Sequence, residues 1–207
     1  MGIFRPGGLE LTRYALEQLR PAPGSTLLDV GCGDGTAAQC AQQEFGLRVS
    51  AVDPDPKAVS RACARGIDAR IGSAADLELF EPSFDIILME CVLSLVGEKE
   101  RALERICSAL RPGGALILSD LYQKDAPAGT AALELPALIG QLKALGMERV
   151  LCEDRTRDLK SFFAQAIMSC GSVAAWFEAE GGWKPSALCH YGKGMGYFLL
   201  IVRKSDA

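Results

Sequence analysis

The chain alternates between two hydrophobic periods over its first two thirds. Leu9 to Leu19 repeats its apolar residues at helical spacing, and Pro21-Ala22-Pro23-Gly24 stops it. The short apolar run Leu27-Leu28-Asp29-Val30 has strand character, Gly31 to Gly35 is a turn, and Thr36 to Phe45 returns to helical composition. Val49 to Val52 predicts the next strand. Asp55-Pro56 predicts a helix start, because proline at the first helical position lacks only an N–H that would be unpaired there anyway. Gly66 closes that helix, Ile67 to Ile71 suggests a third strand, and Phe84 to Met89 a stronger fourth. Glu98 to Leu110 carries apolar residues at Ala102, Leu103, Ile106 and Leu110, on one helical face. Arg111-Pro112-Gly113-Gly114 reads as a turn, and Ala115 to Leu118 is apolar throughout, like a strand covered on both faces.

Such alternation implies right-handed crossovers and a parallel sheet with helices on both faces. The last third has a different rhythm. Ala131 to Leu145 predicts a helix stopped by Gly146, Val150 to Glu153 a strand, and Leu159 to Phe177 another helix. Tyr197 to Val202 predicts a final strand after a glycine-rich stretch. No linker or repeat interrupts the pattern, and 207 residues suffice for one α/β domain with a buried core.

The polar residues between these runs carry the chemistry. Leu27 to Thr36 reads LLDVGCGDGT, a strand running into Gly31-x-Gly33-x-Gly35 and then a helix. Glycines let the backbone turn sharply and approach a ligand. The spacing is tighter than in dinucleotide-binding turns, and Asp29 and Asp34 flank it. Two carboxylates repel a pyrophosphate and suit a cationic amino acid and sulfonium. Asp53 ends the second strand, twenty residues beyond Gly33. A carboxylate there can accept both hydroxyls of a ribose, so turn and acid together suggest a nucleoside ligand without phosphate.

Taken in order, Leu28-Asp29-Val30-Gly31-Cys32-Gly33-Asp34-Gly35, Val52-Asp53-Pro54-Asp55, Phe84-Asp85-Ile86-Ile87 and Leu110-Arg111-Pro112-Gly113-Gly114 resemble the class I S-adenosylmethionine-dependent methyltransferases. The likeness runs from about Leu27 to Asp120. It implies a Rossmann-like α/β fold: a seven-stranded, mostly parallel sheet with helices on both faces and an antiparallel last strand. It implies one domain, with residues 1–25 as N-terminal helix and lid, 26–122 as cofactor core, and 123–207 as the rest of the sheet and the acceptor side. S-adenosylmethionine is the implied cofactor and S-adenosylhomocysteine the product. Asp29 and the glycine turn are implied to hold the methionyl part and Asp53 the ribose. Ile71 to Leu77 falls where the family contacts adenine, with Ser73 where many members have an acid and Asp76 three residues later. The cofactor residues expected are Asp29, Gly31, Cys32, Gly33, Gly35, Asp53, Pro54, Ser73, Ala74 and Glu90. Methyl transfer needs positioning more than a signature side chain. Glu90, Cys91, Tyr122 and His190, the single histidine, are candidates on the acceptor side.

A narrower likeness joins Glu90-Cys91-Val92-Leu93-Ser94-Leu95 and Leu118-Ser119-Asp120-Leu121-Tyr122 to arsenite methyltransferases, which bind a metalloid through thiolates. Cys91 matches one ligand position. No cysteine precedes Cys32 or lies between Cys107 and Cys152, although Cys170 and Cys189 could converge on Cys91. Two readings from other classes stay open: a protein that binds the cofactor without catalysis, and a nicotinamide-dependent oxidoreductase, whose G-x-G-x-x-G spacing is absent.

The remaining features narrow the setting. None of the eight cysteines forms a CxxC pair, so no structural zinc or other metal is expected. Net charge is −4 with scattered basic residues, which argues against nucleic acid as partner. MGIFRPGGLE lacks a signal-peptide core, and no apolar run reaches membrane-span length, so a cytoplasmic chain with reduced thiols and no membrane partner is expected. No insertion after Asp120 is long enough for a recognition domain, which favours a small-molecule acceptor. Gly192-Lys193-Gly194-Met195-Gly196 precedes a strand and reads as a flexible connection; Trp176 and Trp183 read as packing residues. Arg5, ahead of the first helix, is read either as a lid residue holding an anion or as an ordinary helix lead-in.

Overall fold

The computed structural model describes residues 5–74, 84–124, 133–173, 175 and 194–206. The first half builds α1 (Gly8–Leu19), β1 (Thr26–Val30), α2 (Thr36–Phe45), β2 (Arg48–Asp53), α3 (Pro56–Ala64), β3 (Asp68–Ile71) and β4 (Phe84–Glu90). A 3₁₀ turn over Leu93–Leu95 leads to α4 (Lys99–Ala109), β5 (Leu110–Gln123), α5 (Leu135–Ala144), β6 (Met147–Asp154), α6 (Thr156–Cys170) and β7 (Met195–Lys204). The seven strands form one sheet in the order β3-β2-β1-β4-β5-β7-β6. β1 pairs in parallel with β2 and β4, and β7 pairs antiparallel with both β5 and β6. The seven-stranded, mostly parallel sheet with an antiparallel last strand is therefore present.

Strand alternation sorts the apolar side chains into two cores. Leu28, Ile87, Met89, Leu116, Leu118, Phe198 and Leu200 face α4 and α5. Leu27, Ile86, Leu88, Ile117, Tyr197, Leu199 and Ile201 face α1, α2 and α6. Both sides of the central strands are dry, which is why their sequences read as continuous apolar runs. Asp55 caps α3 by accepting from the Lys57 N–H at 2.9 Å, with Pro56 in the first turn.

Several boundaries differ from the sequence pattern. Arg111-Pro112-Gly113-Gly114 is an irregularity within β5: Leu110 pairs with Phe84, and pairing resumes at Ala115 with Ile86. α6 ends at Cys170, seven residues before the expected Phe177, because Gly171 takes φ 78° and donates to the Ile167 carbonyl at 2.8 Å. Met195 and Gly196 belong to β7, with Gly196 beneath the Tyr122 ring, so this part of the second glycine run is sheet. α5 begins at Leu135, with Pro136 in its first turn; 131 and 132 lie outside the described residues.

Strand order reverses between β1 and β4: one leads outward to β2 and β3, the other to β5. Loops leaving adjacent strands in opposite directions open a crevice at their carboxyl ends. The cores on either side fix those ends. Ile87→Ala, at a fully buried position of β4, is expected to lower unfolding free energy by about 2–5 kcal/mol. Urea denaturation followed by circular dichroism measures the change.

Candidate functional site

The glycine turn is bound into the sheet by its own amides. Gly31 and Cys32 both donate to the Val52 carbonyl, at 2.8 and 3.1 Å, and Gly35 donates to Cys32 at 3.0 Å. Gly31 has φ 73°, and a Cβ there would stand 2.3 Å from Val92 Cγ2, so only glycine lets the turn pass the loop after β4. Gly33 has φ 57° and nothing within 4 Å of where a Cβ would be. That stretch offers bare backbone to the crevice. Cys32 is buried and its thiol lies 3.8 Å from the Gly33 carbonyl, where it packs the turn from beneath.

Asp53 sits at the same end of the adjacent strand. One carboxylate oxygen accepts from the Gly33 N–H at 2.8 Å and the other from the Asp55 N–H at 2.9 Å. The residue therefore shapes the turn as well as facing the crevice, a role the sequence spacing did not disclose. Pro54 is exposed beside it. Ser73 and Ala74 follow β3, with Ala74 buried, and the Gly72 N–H donates to the Asp53 carbonyl at 3.2 Å. Ile71, paired with Asp53 across the strands, keeps 62% of its surface exposed. Asp76 and Leu77 lie outside the described residues.

The two acids flanking the turn have different fates. Asp34 accepts from Thr36 and pairs with Arg65 at 2.7 Å. Although burial opposes it, those partners hold its pKa below the usual value. Asp29 is 3% exposed, and its Oδ2 has no hydrogen-bond partner. Burial pushes its pKa up to about 7, with Glu90 adding to the rise and Arg5 opposing it. Only Asp29 remains available to a cation.

Glu90 closes β4 and is buried. Arg5 pairs with it at 2.6 Å and also contacts the Thr12 hydroxyl, which reaches both Glu90 oxygens at 3.2 and 3.3 Å. Burial raises the Glu90 pKa against the pull of Arg5 and Thr12. Thr12 was missed in the sequence. Its signal is a polar residue between Leu11 and Ala15 on the inward face of α1.

Cys91 takes φ 57°, unusual for a residue with a side chain. Its sulfur lies 3.3 Å from the Tyr197 hydroxyl, which donates to Ser119 at 3.0 Å. Burial raises the thiol pKa, with Asp120 adding to it, so the sulfur is a neutral hydrogen-bonding group. Asp120, also missed, is fully buried and accepts from the Ser94 and Leu121 N–H groups at 2.8 and 2.7 Å. It holds the turn after β4 in place; burial pushes its pKa up to about 6. Its signal is a Ser-Asp pair closing an apolar strand.

The structure separates Tyr122 from this group. Its ring packs edge-on against Phe198 on the α4–α5 side, whereas Cys91 belongs to the opposite core. Tyr122 instead lines a groove of about 530 Å³ with Lys124, Leu135, Ile139 and Arg149. His190, Trp176, Trp183 and Cys189 lie outside the described residues. Among the described residues, no three His, Cys, Asp or Glu side chains gather as an ion-binding group.

A bare glycine turn, an orphaned carboxylate and a second carboxylate on the neighbouring strand thus meet at one strand-end crevice. The family model of the methyltransferase domain matches residues 28–118, which hold all three. The arsenite methyltransferase of Halobacterium salinarum is 34% identical over 111 residues, covering 49% of this chain and 28% of that protein. Over residues 28–118 the chain is similar to that methyltransferase domain. Among solved structures, the chain superposes on Haemonchus contortus phosphoethanolamine N-methyltransferase 2 in complex with S-adenosylmethionine, with TM-score 0.80, 20% identity and coverage of 99% of this chain and 54% of that one. At that identity the likeness is one of fold. It also resembles the [4+2]-cyclase SpnF, with TM-score 0.76, 25% identity and coverage of 96% and 82%. The chain spans about half or less of the length of the curated relatives matched first.

Asp29 and Asp120 give the chain a distinctive pH response. Both bind a proton more tightly folded than unfolded, where an aspartate titrates near 4. Stability from these groups is present at low pH and is lost as pH rises from about 4 to about 7. Urea midpoints measured from pH 4 to 8 are expected to fall across that window. Asp29→Asn is expected to flatten the slope, and an unchanged slope would contradict the burial assigned to Asp29.

Proposed function

We propose that this methyltransferase binds S-adenosylmethionine at the carboxyl ends of β1, β2 and β4 and directs its methyl group to a small-molecule acceptor. The observation that carries the reading is the buried Asp29 oxygen without a partner, set beside bare glycine backbone. A phosphate would be repelled there; an ammonium group supplies the missing donor. Asp29 takes the amino group, and the backbone of Gly31, Cys32, Gly33 and Gly35 lies along the methionyl chain. Asp53 takes the ribose hydroxyls, using acceptor capacity that its contacts with Gly33 and Asp55 leave free. Pro54, Ile71, Ser73 and Ala74 border the adenine, and Glu90 faces the reacting end.

When bound, the cofactor supplies an electrophilic methyl group on a positively charged sulfur. The chain's part is to hold donor and acceptor in line and keep water out. Glu90 is committed to Arg5 and Thr12, and Cys91 to Tyr197. They shape the acceptor side through this network. The neutral, hydrogen-bonded thiol supports a polar wall in preference to a metalloid ligand. The shared fold with a cyclase supports a second reading, in which the pocket is kept and no methyl group moves. Transfer of label from S-adenosyl-[methyl-³H]methionine to small-molecule acceptors tests the primary reading. Cofactor binding without transfer to any acceptor supports the second.

Asp53→Ala is expected to weaken S-adenosylmethionine binding by about 10–100-fold, the cost of losing charge-assisted hydrogen bonds to two hydroxyls. Isothermal calorimetry reads the affinity, and far-UV circular dichroism checks that the fold survives. Unchanged affinity in a folded variant would refute the ribose assignment.

A further inference from the structure

The groove of about 530 Å³ lined by Tyr122, Lys124, Leu135, Pro136, Ile139 and Arg149 lies on the α4–α5 side of the sheet, away from the crevice at β1, β2 and β4. Two backbone features shape it. Gly196 lets the Tyr122 ring lie directly on β7, since a Cβ there would stand 2.3 Å from the ring. β6 carries an extra residue, Val150, between the Arg149–Val202 and Leu151–Ile201 pairs. That bulge turns Leu151 to the opposite core, and Cys152 becomes the next β6 side chain packed on this face after Arg149.

The two cations of the groove differ. Lys124 Nζ lies 3.1 Å from Asp154, and that pair is neutral. Arg149 has no hydrogen bond or ion pair among the described residues. Glu148, its neighbour in the chain, is reached by Ser205 instead, and Glu134 at the start of α5 is not part of the lining. One uncompensated positive charge is therefore left on the wall. The rest of that wall is apolar: Leu135 and Ile139 pack on the core from outside, half-buried, with Pro136 beside them. A mainly apolar groove with one placed charge, in the size range of small-molecule sites, suits a ligand with an apolar body and a single negative charge. The parallel N–H bonds of a guanidinium match a carboxylate. The second charge of a phosphate monoester would find Lys124 already taken by Asp154.

We propose that this groove is a second ligand site, taking an aliphatic monocarboxylate with its carboxylate on Arg149 and its chain over Leu135, Pro136 and Ile139. The site is separate from the glycine-turn crevice, so the inference does not depend on the cofactor reading.

Head group and chain are tested in turn. Calorimetry compares decanoate, decyltrimethylammonium and acetate on the wild-type chain, all below micelle-forming concentrations. Decanoate is expected to saturate a single site, with the other two weaker by at least about 10-fold, the worth of a charged hydrogen bond. Arg149→Gln, at an exposed position, is expected to weaken decanoate by about 10-fold and to leave decanol within about twofold of its wild-type affinity. Ile139→Asn is expected to weaken both decanoate and decanol, with circular dichroism checking the fold. Absence of saturable decanoate binding overturns the proposal, as does equal binding of decyltrimethylammonium; neither result needs a variant to fold. Unchanged decanoate affinity in Arg149→Gln overturns it too. So does displacement of decanoate by S-adenosylhomocysteine, which would put the chain in the other crevice.

Discussion

A carboxylate buried at the end of β1 without a full set of partners is the constraint around which this molecule is organised. Placing an unsatisfied anionic oxygen in a dry site costs free energy that neighbouring groups must offset. Asp29 accepts that situation because the turn that follows opens the backbone toward a ligand instead of closing over it. Val92 on one side and the Asp53 carboxylate on the other keep the turn open in one shape.

Other acids show how unusual this is. Asp34 is satisfied by Thr36 and Arg65, Asp85 by Thr26 and Arg111, and Asp120 by backbone amides. Each of those carboxylates stabilises a local joint: the start of α2, the foot of β1 against β4, or the turn after β4. The orphaned oxygen of Asp29 has no structural counterpart to serve, which is why it speaks for a ligand. A cost of this kind is offset when a cation binds the group that bears it.

The network around Glu90 and Cys91 is built by elements far apart in sequence. Glu90 ends β4 and Cys91 follows it, Thr12 and Arg5 come from the start of the chain, Ser119 from β5 and Tyr197 from β7. These contacts interlock, so the shape of this edge of the sheet is set by side chains from distant parts of the chain. A scaffold of this kind is consistent with relatives whose names include arsenite and phosphoethanolamine methyltransferases and with a neighbour named as a cyclase. The family model matches residues 28–118, which hold the glycine turn and both strand-end aspartates; Arg5, Thr12, Ser119 and Tyr197 lie outside that match.

The sequence by itself determined the alternation of elements, the parallel core, the glycine turn and the two aspartates that face it. Those features are local: periodicity, turn chemistry and fixed spacing act over a few residues and survive in the linear text. Burial, and which polar atom pairs with which, were decided by the tertiary structure. Asp29 and Asp34 look alike in LLDVGCGDGT, yet only the fold brings Arg65 to one and leaves an oxygen of the other without a partner. Thr12, Asp120 and Tyr197 read as ordinary residues of their helix or strands, and Tyr122 reads as a neighbour of Cys91 until the pleat sends the two to opposite faces. Partner choice is a matter of three-dimensional distance, and distance between residues far apart in the chain is not written in it.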